Sequence, residues 1–128
     1  MSEPSAFPSL EGLRVLVVED SWQVSTGLKH LLESWGASVV GPVPTTADAI
    51  RVISNTVPDV ALVDINLRGG ERSYDLIDEL YKRNIRIVVL TGYADVSLAD
   101  GKAVAILQKP VKEEALITSL QKLNASEP

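Results

Sequence analysis

The sequence contains no cysteine, which excludes disulfides and thiolate metal sites. Lys and Arg are outnumbered, 12 against 17 Asp and Glu, for a net charge of −5. That balance argues against nucleic-acid binding, because phosphate backbones demand clustered cations. Long hydrophobic runs are lacking too. A stretch such as Ala103 to Leu107 falls far short of the ~20 residues of a membrane span. The opening MSEPSAFPSLEG has no basic start and no continuous apolar stretch, so no secretory signal is expected. With no disulfides to form, the cytoplasm is the expected compartment. The single histidine, His30, lies off the apolar stripe around it and reads as a surface residue, not a phosphoryl donor.

What is present suits a folded domain. Apolar residues make up 45% of 128 positions, enough for a core and too many for a disordered chain. Residues 1–10 and 124–128 are expected to be loose tails around a single domain at 11–123. Short runs rich in Val, Ile and Leu recur at Leu13–Val18, Ser38–Val40, Asp59–Val63, Ile85–Leu90 and Ala103–Leu107. Most lack alternation, the habit of parallel strands covered on both faces.

Helical patterns separate them. Val24, Leu28, Leu31, Leu32 and Trp35 share one helical face, with Gly36 as a stop. Thr45 and Asp48 look like a capping pair ahead of Ala49, Ile50, Ile53 and Val57, and Pro58 ends that segment. Leu76, Ile77, Leu80 and Tyr81 make a third stripe; Leu116, Ile117, Leu120 and Leu123 make a last one. The order is βα repeated around five strands. Right-handed crossovers then give a doubly wound parallel sheet. Such sheets bind ligands beyond the carboxyl ends of their strands.

Those ends carry a specific set. Glu19 and Asp20 follow the first strand (VLVVEDSW), Asp64 the third (VALVDINL), Thr91 and Gly92 the fourth (IVVLTGY), and Lys109–Pro110 the fifth (AILQKPV). Each alone has a plainer reading: a cap, a turn hydroxyl, a solvated charge, a strand stop. Together they make a chemistry. Converging carboxylates repel one another unless a cation relieves them. Oxygen donors without sulfur or imidazole suit Mg²⁺. A hydroxyl and an ammonium stand ready for phosphate oxygens, and a carboxylate can itself take a phosphoryl group.

In these residues the sequence resembles the receiver domain of bacterial two-component response regulators, from about Leu13 to Leu123. The resemblance implies a flavodoxin-like five-stranded sheet of order 2-1-3-4-5. It implies Asp64 as phosphoacceptor and Asp20 as direct Mg²⁺ ligand, with Glu19 beside it. It further implies that Asn66 supplies a backbone carbonyl to the metal. Thr91 and Lys109 would hold phosphoryl oxygens, and the Lys109–Pro110 bond would be cis. The partners implied are a sensor histidine kinase or histidine phosphotransferase and an unnamed downstream protein. The domain would take part in its own phosphorylation without being an enzyme in its own right. Output would pass to a partner protein or consist of draining phosphate from another regulator.

Two departures stand out. Ile106 occupies the usual aromatic switch position, three before Lys109. The eleven residues Gly92 to Lys102 are short for a crossover with a full helix. Their periodicity is poor and they end in Asp–Gly, so the fourth helix is expected to be short, irregular or absent. This shortening, with LTGY and VDINLRGGE, is similar to a subgroup of single-domain receivers named for a Phe-Ala-Thr-Gly-Gly/Tyr-Tyr motif. Val89–Leu90 stand here for Phe–Ala. That subgroup implies kinases of the HWE type. Three rival readings fit these motifs less well. A haloacid-dehalogenase-like phosphatase wants a second acid where Asn66 stands. A receiver that binds partners without phosphorylation does not need the complete acidic pair, acceptor, Thr and Lys. A flavodoxin-like FMN carrier wants a phosphate loop after the first strand.

Overall fold

A computed structural model describes residues 9–65, 74–92 and 101–125 of the chain. Five strands, β1 (Arg14–Val18), β2 (Ser38–Val43), β3 (Val60–Asp64), β4 (Arg86–Thr91) and β5 (Ala105–Gln108), form one parallel sheet of order β2-β1-β3-β4-β5. The helices are α1 (Trp22–Ser34), α2 (Thr46–Ile53), α3 (Tyr74–Lys82) and α4 (Glu113–Ala125). This is the flavodoxin-like arrangement. Every residue of β3 is buried, as a central strand covered on both faces must be.

The core is two layers. Leu16, Val18, Ala61, Val63, Ile87 and Val89 pack against α2 and α3. Val15, Val17, Leu62, Val88 and Leu90 pack against α1 and α4. The split follows from the two-residue side-chain period of the strands. On β5 the burial alternates: Ala105 and Leu107 turn to the α1/α4 layer, while Ile106 is 41% exposed.

Local signals account for the element ends. Ser21 caps α1, its hydroxyl accepting the Val24 N–H. Thr45 caps α2, accepting the Asp48 N–H at 3.1 Å. Asn84, at φ 61°, takes the left-handed turn that leads from α3 into β4.

Several expectations need correction. Helix α2 stops at Ile53, before Val57, which is 63% exposed. Its last carbonyls are taken up by side chains: the Ser54 hydroxyl donates to Ile50 O and the Asn55 amide to Arg51 O. Pro58 therefore does not end it. Val24 and Tyr81, placed on apolar stripes, are exposed at the stripe margins. Leu10 is no tail residue; it is fully buried and its N–H donates to Trp35 O. At the other end α4 runs on through Asn124 and Ala125, and the Asn124 amide reaches Glu11 O. The remaining tail residues, 1–8 and 126–128, lie outside the described residues. So does most of the short fourth crossover, at 93–100; among the described residues no helix lies between β4 and β5.

Candidate functional site

Parallel strands deliver their carboxyl ends to one rim of the sheet. Val18 of β1 pairs with Val63 of β3, so Glu19 comes out level with Asp64. Asp64 in turn pairs with Leu90 of β4, and Thr91 with Gln108 of β5. The registers thus bring Glu19, Asp20, Asp64, Thr91 and Lys109 to one place. Glu19, Asp64 and Thr91 are buried, at 3%, 4% and 1% exposure.

Lys109 Nζ lies 3.1 Å from Glu19 Oε1 and 3.2 Å from Asp64 Oδ2. Its backbone N–H donates to the Thr91 carbonyl at 2.6 Å, which ties the loop after β5 to the end of β4. The Lys109–Pro110 peptide is cis. Glu19 Oε2 accepts the Ser21 N–H at 3.1 Å. Burial pushes the Glu19 carboxyl above the ordinary carboxylate range, opposed by the Ser21 N–H and the Lys109 ammonium. Burial works against the Lys109 charge, but the hydrogen bond to Glu19 and the charges of Asp64 and Glu19 outweigh it. The ammonium is therefore held above its usual range.

Carboxylate oxygens of Glu19, Asp20 and Asp64 lie within 4.8 Å of one another. Three acids at this spacing, two of them buried, make an all-oxygen donor set that a small divalent cation fits. Gly92, beside Thr91, is exposed, and a side chain there would meet only open space. Ile106 points away from the α1/α4 layer and offers no ring or hydroxyl. Asn66 lies outside the described residues.

Sequence reasoning missed Ser21. It caps α1 and also steadies Glu19; a Ser just ahead of a helical stripe was the available signal. Trp22 is 76% exposed and stands beside Glu19 and Asp20 at a small cleft. Trp35, on the apolar helical face read from the sequence, is half-buried against the α1/α4 layer. No helix among the described residues is long and apolar enough to cross a membrane.

The chain is similar to known proteins over most of its length. The family model of the response regulator receiver domain matches residues 15–121. The phyllosphere-induced regulator PhyR of Methylorubrum extorquens is 28% identical over 83 residues, 63% of this chain and 31% of that protein. The sensory transduction protein LytT of Bacillus cereus is 29% identical over 115 residues, 86% of this chain and 46% of that one. The chain thus spans under half the length of either. The crystal structure of the signal receiver domain of a modulated diguanylate cyclase from Desulfovibrio desulfuricans G20 is 30% identical. It has a TM-score of 0.75 and covers 90% of this chain and 98% of that one. With its strand order, its converging acids and this match over most of its length, the chain belongs to the response regulator receiver domain family.

Proposed function

We propose that Asp64 accepts a phosphoryl group, with Mg²⁺ at the acidic cluster, from a phosphohistidine on a sensor kinase or histidine phosphotransferase. The observation that carries this reading is the placing of one ammonium against two buried carboxylates. Lys109 Nζ sits 3.1 Å from Glu19 and 3.2 Å from Asp64.

In the reaction an Asp64 carboxylate oxygen forms a bond to phosphorus as the bond from phosphorus to the donor imidazole nitrogen breaks. The imidazole leaves with the electron pair and takes up a proton. A carboxylate nucleophile has no proton to lose, so the step asks for no general base. Lys109, close to Asp64, is placed to pair with a phosphoryl oxygen. Thr91, buried on the neighbouring strand end, holds a hydroxyl for another. Glu19, Asp20 and Asp64, with the Asn66 carbonyl, would hold the metal. Bound there, Mg²⁺ supplies neutralisation of the charge that builds on the transferring group.

The dianionic group then attracts Thr91 and the segment after it. Ile106 lacks the ring through which a Thr shift is usually relayed. The signal is therefore read from the Gly92–Lys102 segment and from the Ile106–Val111 face with α4. The LTGY stretch favours the Phe-Ala-Thr-Gly-Gly/Tyr-Tyr subgroup and an HWE-type kinase as donor. Output passes to a partner protein, or the domain drains phosphate from another regulator. The cytoplasm is the matching compartment.

The test is acid-stable and acid-labile phosphate incorporation from acetyl phosphate, with and without Mg²⁺, read by intact mass. Wild type is expected to gain one phosphoryl group only with Mg²⁺, and Asp64→Asn none. Incorporation by Asp64→Asn at the wild-type rate overturns the assignment. Turnover of para-nitrophenyl phosphate would instead point to a phosphatase.

A further inference from the structure

Strand β2 does not keep step with β1. Leu16 pairs with Val40 but Val18 pairs with Val43, so β2 carries one extra residue over this stretch. The extra residue falls at Gly41–Pro42. Gly41 has φ 88°. A Cβ there would lie 2.9 Å from the Val43 nitrogen and 3.5 Å from the Val17 carbonyl oxygen. Neither the backbone angle nor the space admits an L side chain.

The bulge has two consequences. Val40 and Val43, three residues apart, both pack on the α2/α3 layer, where strict alternation would pair Val40 with Pro42. The second concerns the site. The Val43 carbonyl is brought to the end of β1, where it accepts the Glu19 N–H at 3.0 Å. An unbulged strand would be out of step by one residue, about 3.3 Å, and would present its carbonyl to the other side. Glu19 is thus held through its main chain by β2 and through its carboxylate by Ser21 and Lys109. Pro42, Val43 and Pro44 go on to wall a cleft of about 150 Å³ opposite Glu19, Asp20 and Trp22.

We infer that the Gly41 bulge is a positioning element for cation binding. Through the Val43 carbonyl it sets where Glu19 and Asp20 leave the sheet, and so how well their oxygens meet a metal shared with Asp64. Gly41 touches neither metal nor phosphoryl group. The inference rests on reading Glu19, Asp20 and Asp64 as a Mg²⁺ site.

The experiment is a Mg²⁺ titration followed by amide NMR on wild type, Gly41→Ala, Gly41→Asn and Ile53→Ala, below each variant's melting temperature. Asn tolerates a positive φ better than Ala, which helps that variant fold. Ile53→Ala leaves the bulge and the Val43 carbonyl in place but thins the same core layer. Partners that orient metal ligands are worth about 10- to 100-fold in affinity, so the Gly41 variants are expected to bind Mg²⁺ at least about tenfold more weakly. Ile53→Ala is expected to melt earlier with unchanged affinity. Gly41 variants that bind like wild type overturn the positioning role alone. Wild type that binds no Mg²⁺ overturns the site reading and this inference with it. Should neither Gly41 variant fold, hydrogen exchange on wild type decides. Mg²⁺ is expected to protect the Glu19 N–H more than the Leu62 N–H of β3; equal protection overturns the inference.

Discussion

Lys109 stands between two buried carboxylates, Glu19 and Asp64. It lies 3.1 Å from one and 3.2 Å from the other, with about a third of its side chain exposed. Removing one partner of a buried pair leaves the other charge uncompensated. Lys109→Met is therefore expected to cost about 1–3 kcal/mol in Mg²⁺-free buffer, less than a fully buried pair because water reaches the ammonium. Saturating Mg²⁺ is expected to return part of that loss, since a divalent cation neutralises the same acids. Urea unfolding in EDTA and in Mg²⁺ measures both. A variant as stable as wild type in EDTA would show that Lys109 does not neutralise the cluster. By contrast, pairs such as Arg51–Asp48 and Lys102–Asp78 are exposed, and their loss is expected to change stability by well under about 1 kcal/mol.

Among the elements, α2 shows what can and cannot be read locally. Its start is written in Thr45, which accepts the Asp48 N–H. Thr45→Ala is expected to lower unfolding free energy by about 1 kcal/mol, checked by chemical denaturation, while phosphate uptake at Asp64 stays unchanged. Its end was not legible. Val57 lies four residues after Ile53 and mimics another helical turn, but Ser54 and Asn55 compete for the last carbonyls and close the helix first. The strands were legible within a residue or two because uninterrupted apolar runs have few other uses. β2 was the exception. Its Gly41–Pro42 looked like an ending, and the run continues to Val43 only because a bulge carries it past them. That is a relation between two strands, and a local pattern does not encode it. Leu10 was misjudged for the same reason: its N–H pairs with the carbonyl of Trp35, 25 positions away.

At the scale of the whole molecule, the site is a product of strand order. No single acid among Glu19, Asp20 and Asp64 distinguishes itself from a turn residue. Once β1, β3, β4 and β5 run parallel and side by side, their ends share a rim, and the acids, hydroxyl and ammonium meet there. The central strand carries this arrangement. Leu62, fully buried in β3, is expected to cost about 2–5 kcal/mol when cut to Ala, seen as a lower melting temperature. The chemistry was therefore readable from the order of motifs, while the supports at Ser21 and Gly41 emerged only with the packed fold.

The central claim, that Asp64 takes a phosphoryl group beside a metal, is tested most directly by amide NMR with Mg²⁺ and beryllofluoride, which mimics an acyl phosphate. Saturable shifts are predicted at Asp64, Thr91 and Lys109 in wild type, requiring both additives and absent in Asp64→Asn. Shifts that persist in Asp64→Asn, or none in wild type, would contradict the account.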